Sequence, residues 1–309
     1  MAANAGDAGQ SKSGRARLPT QGRGEVLLLL GPCAIYLAAF SIFPLVTSLV
    51  RSFQDYNTRA DSWRWVGLDN YSQLIHSSEF WTVVENTVLL TVVGVTIQVV
   101  LGTALALFFN QQLRGASIVR GILILPMLLT PIVVGLMWRA LLDPNWGLLN
   151  WIFVQIGVGQ VGWLSDPSVA LWTLVVVDSW QWTPFVFVIV YARLQALPQE
   201  VFEAGSVDGA SWFQRTVYLT LPLLAPAIVF AAVFRAIDAF RTFDLVYGLT
   251  NGGPGTSTTT LSFQAFQNGF EFQHYGYASA ISYVMVIAAA IGITLLFKVV
   301  KVRRLETTA

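Results

Sequence analysis

Hydrophobic positions in this chain fall in long unbroken runs, longer than the alternating or three-to-four spacing of a half-buried element requires. A helix that crosses a hydrocarbon core needs about 20 mostly apolar residues. Six runs qualify, at about 26–50, 83–109, 118–142, 169–191, 220–244 and 277–300. The first is too long for the core of a secretory signal and has no small-residue cleavage site behind it, so it reads as a retained span. Residues 1–25, rich in Gly, Ala, Ser and Arg, are expected to form a disordered tail. A membrane domain then runs over 26–300, and 301–309 form a second short tail.

Composition makes lipid the required solvent. Of 309 residues, 55% are hydrophobic and 11% charged, against roughly 25% charged in a soluble domain. The expected fold is all-α and polytopic, with six membrane helices. A net charge of +1 gives no sign of a nucleic-acid partner. Cys33, the single cysteine, lies inside an apolar run, so the chain carries no internal disulfide framework.

Charge sets the orientation, because loops rich in Lys and Arg stay in the cytoplasm. Basic residues cluster in the N-terminal tail (Lys12, Arg15, Arg17, Arg23) and the second loop (Arg114, Arg120). They recur in the fourth loop (Arg193, Arg215) and the C-terminal tail (Lys298, Lys301, Arg303, Arg304). Loops 143–168 and 245–276 have none, and the three arginines of the first loop are offset by Asp55, Asp61, Asp69 and Glu79. Both termini and the 193–219 loop are therefore expected inside. The outer loops carry Trp63, Trp65, Tyr71, Trp81, Trp146, Trp151 and Trp163, rings suited to the headgroup zone. Phe263, Phe266 and Phe270 recur at helical spacing and predict a short helix on the outer surface.

The 193–219 loop holds a compact polar knot. Pro198 suits the first turn of a short helix over 199–207. Asp208-Gly209 is a turn pair, since glycine accepts positive φ. Ser211 can cap a second helix that runs into the fifth span. Ala204, Gly205, Ser206, Gly209 and Ala210 are small enough to let another backbone approach, and Glu200, Glu203 and Asp208 leave acid at the surface. From these residues alone the knot is either a docking element or a plain hairpin.

The run Glu203-Ala204-Gly205, Asp208-Gly209-Ala210 and Leu221-Pro222 resembles the "EAA" loop of permease subunits of bacterial ABC importers. It departs from that pattern in having Gly205 for a second alanine. Leu125-Pro126, Trp180 with Pro184, Phe240 to Asp244, and Leu249-Thr250-Asn251-Gly252-Gly253-Pro254 are similar to the carbohydrate branch of the family. The likeness covers about 26–300. It implies the type I importer permease fold and a non-catalytic subunit in the bacterial plasma membrane. It also implies a second permease, two copies of an ATPase and an extracytoplasmic binding protein as partners. Residues 203–210 would dock in the ATPase, with Glu203 facing a basic group and Gly209 making the turn. Asn251, Gly252, Gly253 and Pro254 would face the binding protein. ATP and Mg²⁺ would sit on the ATPase: the only lysines here are Lys12, Lys298 and Lys301, and none completes a phosphate-binding P-loop.

Polar residues inside spans are costly and functional by default. The fifth run carries Arg235, Asp238, Arg241 and Asp244, spaced by three so that neighbours can neutralise one another. Two readings stay open, a self-paired ladder or part of a solute site. Glu85, Asn86 and Gln98 of the second run read as bundle glue. The family resemblance places Gln181, Trp182, Phe185, Arg235 and Thr242 at solute-contacting positions, with Asp238 close by. The fifth-run charges sum to zero, which favours a neutral polyhydroxy solute over a phosphate ester. The alternatives are a secondary carrier or channel, and an intramembrane enzyme. Against the enzyme, His76 and His274 have no ligand-spaced partners, and no metal or nucleophile cluster is visible.

Overall fold

The computed structural model describes residues 23–57, 62–111 and 115–306. The expected N-terminal tail, apart from 23–25, lies outside the described residues, as do Arg59, Asp61, Arg114 and residues 307–309. Residues 1–48 and 49–309 form two units. The first holds α1 (Arg23–Leu37), a π-turn at Ala38–Ile42 and the start of α2 (Phe43–Ser52). Pro44 has no amide to give to the carbonyl four residues back. The turn before it widens, and the Phe43 amide bonds to the Ala38 carbonyl instead.

The second unit begins with a hairpin, β1 (Gln54–Asn57) and β2 (Ser62–Trp65), antiparallel with Gln54 opposite Trp65. Helix α3 (Asp69–His76) leads to α4 (Ser78–Phe109), whose first turn is capped by the Ser77 hydroxyl accepting from the Phe80 amide. Next come α5 (Ala116–Leu128), α6 (Pro131–Leu141), α7 (Leu148–Gln155) and α8 (Pro167–Gln195). Asp166 caps α8 by accepting from Ser168, whose hydrogen bonds hold that carboxyl below the usual carboxylate range. A polar hairpin of α9 (Gln199–Val207) and α10 (Trp212–Arg215) precedes α11 (Leu221–Phe240). Then follow α12 (Asp244–Leu249), α13 (Leu261–Phe266) and α14 (Tyr275–Glu306).

Among the described residues, five helices are long and apolar enough to cross a membrane. The bent pair α5 and α6 makes a sixth crossing possible. Three expectations need correction. The third run is not one helix: it breaks at Leu129-Thr130 with a bend of 101°. Pro131 forces Thr130 into extended backbone, because its ring clashes with a helical residue before it. Helix α6 then folds onto α12, where Gly135 and Gly248 face each other so closely that a Cβ on Gly135 would lie 2.9 Å from the Leu249 amide. The fifth run ends at Phe240 and not at 244. Asp244 starts a separate helix, so the charged row stops at Arg241. The outer phenylalanine helix does not lie on the surface. Phe263 is fully buried and stacks on Phe243 with centroids 6.0 Å apart, and only Phe270 of the three is strongly exposed. The 3.6 period predicted the helix but could not tell a lipid-facing stripe from a core-facing one.

Helices α4 and α8 form the main packed pair. They meet at Gly102, where a Cβ would lie 2.7 Å from Val186 Cβ and 2.9 Å from the Phe187 amide. One apolar cluster gathers Leu90, Leu174, Leu245, Leu249 and Phe263, and another gathers Ala106, Val186, Phe187, Val190 and Leu224. On α4 and α8 a polar layer separates them in sequence, at Gln98 and Asp178.

Candidate functional site

The polar layer is built from three helices. Helix α4 contributes Gln98, α8 contributes Asp178 and Trp182, and α11 contributes Arg235 and Asp238. The i,i+4 spacing of Asp178 and Trp182 and the i,i+3 spacing of Arg235 and Asp238 put each pair on one helix face. Arg235 is 0% exposed. A guanidinium cannot shed its charge, so its burial requires partners on every side. Its Nε donates to Gln98 Oε1 at 2.8 Å, and its Nη2 to Asp178 Oδ2 at 3.2 Å. Its Nη1 donates to Asp238. Gln98 Nε2 in turn donates to Asp178 Oδ2 at 2.7 Å. The Trp182 ring covers the cation, with Cζ 4.5 Å from the centroid. Arg241, largely exposed, lies 3.5 Å from the other oxygen of Asp238.

A cavity of about 250 Å³ opens over this layer, lined by Pro131, Asp178, Trp182, Asp238, Arg241, Thr242, Phe243, Asp244 and Leu245. Three of its lining residues, Arg241, Thr242 and Phe243, come from the break between α11 and α12, which frees them from helical geometry. Its chemistry is an indole face beside carboxylate acceptors, a set that can hold hydroxyl donors and a C–H surface. Arg235 lies beneath it with its donors already committed.

The expected site residues divide. Trp182, Asp238 and Thr242 line the cavity, and Arg235 supports it from below. Gln181 is fully buried on another face, where its amide donates to the Leu129 carbonyl at 3.0 Å, a group exposed by the α5–α6 break. Phe185 stacks on Phe234 at 5.1 Å in the second apolar cluster. Neither is part of the cavity lining. Asp178 was missed by sequence reasoning, although a lone carboxylate midway along a 29-residue apolar helix and one turn before Trp182 is a signal. With it the group holds three carboxylates and two guanidiniums, a net charge of −1 in place of the zero counted on the fifth run.

The 251–254 segment is a braced loop. Asn251 and Gly252 both have positive φ, at 52° and 82°, and a Cβ on Gly252 would meet the Phe263 ring at 2.6 Å. Three threonines hold it, a feature the sequence reading passed over. Thr258 donates to the Gly253 carbonyl at 2.8 Å and Thr259 to the Gly252 carbonyl at 3.0 Å. Thr260 donates to the Thr242 carbonyl at 2.9 Å, tying the loop to the cavity wall. Asn86 on α4 donates to the carbonyls of Thr256 and Thr259, so it does join distant parts of the chain.

The 203–210 segment forms the expected helix–turn–helix. Gly209 takes φ of 78°, and the Ala210 amide closes the turn on the Gly205 carbonyl at 3.0 Å. Ser211 and Gln214 form a reciprocal capping box on α10. Arg215 donates to Ser206, fastening one helix to the other. Glu203, Ala204, Asp208 and Gly209 are exposed. A π-turn at Thr216–Thr220 joins the hairpin to α11 just before Pro222, the same device that precedes Pro44.

Residues 98–303 match the family described as binding-protein-dependent transport system inner membrane component. The trehalose/maltose transport system permease protein MalF of Thermococcus litoralis is 36% identical over 278 residues, covering 90% of this chain and 94% of that protein. The sulfoquinovosyl glycerol transport system permease protein SmoG of Agrobacterium fabrum is 34% identical over 260 residues, 84% of each chain. Among solved structures, a chain of a bacterial ABC transporter involved in the import of the acidic polysaccharide alginate superposes with a TM-score of 0.79. It is 22% identical and the match covers 89% of this chain and 94% of that one, a likeness of fold.

Proposed function

This chain belongs to the family of binding-protein-dependent transport system inner membrane components, and from that premise we propose that it passes a neutral saccharide or polyol across the membrane in an ATP-driven importer. The observation that carries the solute class is the cavity over Arg235. It pairs an indole with carboxylates, and its one deeply buried cation is already bonded to Gln98, Asp178 and Asp238. A sugar hydroxyl leaving water would donate to Asp238 or Asp178, and Trp182 would cover an apolar sugar face. A carboxylated, sulfonated or phosphorylated sugar would meet three carboxylates with only the exposed Arg241 in its favour. The name of the trehalose/maltose relative supports a neutral glycoside as cargo, whereas that of the sulfoquinovosyl glycerol relative supports a glycoside but not its neutrality.

In this reading the chain is a non-catalytic subunit. ATP and Mg²⁺ are bound by two copies of a separate ATPase, and a second permease completes the pathway. The hairpin at 203–210 is the coupling element. Its exposed Glu203 meets a basic group of the ATPase, and motion passes through the π-turn and Pro222 to α11. An extracytoplasmic binding protein docks on Asn251–Pro254, and Thr260 links that loop to the cavity wall. The hairpin and both termini face the cytoplasm.

The test is ATPase activity of the complex reconstituted in proteoliposomes with the partner subunits and binding protein from neighbouring genes. Neutral disaccharides, monosaccharides and polyols should stimulate hydrolysis, whereas uronates and sugar phosphates should not. Stimulation by a charged sugar alone would overturn the solute class. Absence of stimulation by any sugar in a complex that hydrolyses ATP would overturn the saccharide reading.

A further inference from the structure

A second polar cavity lies away from the solute cavity, where α4 and α8 end and α5 begins. Its volume is about 560 Å³. Two guanidiniums, Arg120 and Arg215, line it, and none of its described lining residues is a carboxylate. Glu200, in the first turn of α9, is exposed and does not line it.

Both arginines are held in place yet retain donors. Arg120 gives its Nε to the Ala116 carbonyl at 3.1 Å and its Nη1 to the Tyr191 hydroxyl at 2.5 Å, and its Cζ sits 5.2 Å from the centre of that ring. Nη2 is left uncommitted. Arg215 gives Nη1 to Ser206, while its Nε is buried with no hydrogen-bond partner. That Nε has no exposed surface, so the donors open to a ligand are the Nη2 groups of the two arginines, neither of which bonds to a described protein group. The lining includes Ala116 and Gln199, the first residues of α5 and α9, and neither helix start has a side-chain cap. The amides there carry partial positive charge. Fixed guanidiniums, uncapped helix starts and absent acid make a receptor for an oxyanion.

We propose that this cavity binds a phosphate group, supplied by the headgroup of an anionic phospholipid. Its level argues for lipid over a free ion: it lies where membrane-length helices end, the depth of the polar headgroups. Beside it α5 exposes Ile118 and Ile122, an apolar path along which an acyl chain can run. The bound headgroup would bridge the α5 start to the base of the 199–215 hairpin, so lipid composition would bear on the rigidity of that hairpin.

The full chain is purified into nanodiscs of phosphatidylcholine alone or mixed with phosphatidylglycerol, and thermal unfolding and co-purifying phosphatidylglycerol are measured. The wild type should melt higher with phosphatidylglycerol and retain it through exchange into phosphatidylcholine. Arg120→Gln with Arg215→Gln should weaken retention by roughly tenfold or more, as expected for losing two charged hydrogen-bond donors. Arg139→Gln, which removes one positive charge from α6 away from the cavity, should retain it. Arg120→Lys keeps the charge but loses the forked donors, and should show reduced retention even if the double variant does not fold. Retention undiminished in Arg120→Lys would overturn the role of Arg120. Inorganic phosphate that raises melting in phosphatidylcholine as much as phosphatidylglycerol does would support the phosphate site and overturn the lipid source. Identical melting in both lipids with no response to phosphate would overturn the site.

Discussion

Arg235 has no exposed surface, and its charge is met by a carboxylate on another helix as well as by one on its own. A ladder confined to α11 would make Asp238 its essential partner. The cross-helix bond to Asp178 makes the opposite prediction. Arg235→Gln with Asp238→Asn leaves Asp178 buried without its cation, whereas Arg235→Gln with Asp178→Asn removes the fully buried pair together. The first variant should be less stable than the second by roughly 2 kcal/mol or more, since breaking one side of a buried pair costs about 3–5 kcal/mol. Thermal unfolding in one detergent compares them directly, and equal melting would restore the ladder. If Asp238 also contacts solute, Asp238→Asn alone should lower transport with little loss of stability, because that side chain is partly exposed and Asp178 still holds Arg235.

Among elements, two glycines separate packing from backbone strain. Gly102 lets α4 touch α8, and a methyl there meets the backbone of α8, which cannot rotate away. Gly102→Ala should cost about 1–3 kcal/mol, the usual range for overpacking. Gly121 on α5 has nothing within 4 Å of a new Cβ, so Gly121→Ala should be neutral or slightly stabilising. The same melting assay reads both. Gly209 differs again, since space is open but φ is 78°. Gly209→Val should strain the turn by about 1–2 kcal/mol and loosen ATPase association while the spans still insert. Glu203→Ala, on an exposed face, should leave melting unchanged and lower coupled transport. Wild-type transport by either variant in the assembled complex would remove that residue from the coupling role.

For the whole molecule, the charge asymmetry of the loops predicts opposite sides for the hairpin and the 251–260 loop. Single cysteines at Ser206 and Thr256, in a Cys33→Ala background, should react with an impermeant reagent from the cytoplasmic and external faces respectively. Reaction of both from one face would mean that the chain between them crosses an even number of times, and the proposed topology would fall.

Much of the membrane plan was legible in sequence because it rests on local quantities. Run length set the number of apolar stretches, loop charge set an expected orientation, and the Pro198, Gly209 and Ser211 signals produced the helix–turn–helix that the structure contains. These depend on neighbours within one or two turns. What needed tertiary structure were properties of side chains far apart in sequence. Gln98, Asp178 and Arg235 are 137 residues apart at their extremes yet share one set of hydrogen bonds. Hydropathy scored the third run as one span because it does not weigh the backbone demand of Pro131, and it carried the fifth run past its break at Arg241. Phe263 and Gln181 looked like surface and site residues because a helical stripe says which residues share a face, not what that face meets. The cavity exists because the α11–α12 break sets Thr242 beside Trp182, a juxtaposition that only the packing of α8, α11 and α12 decides.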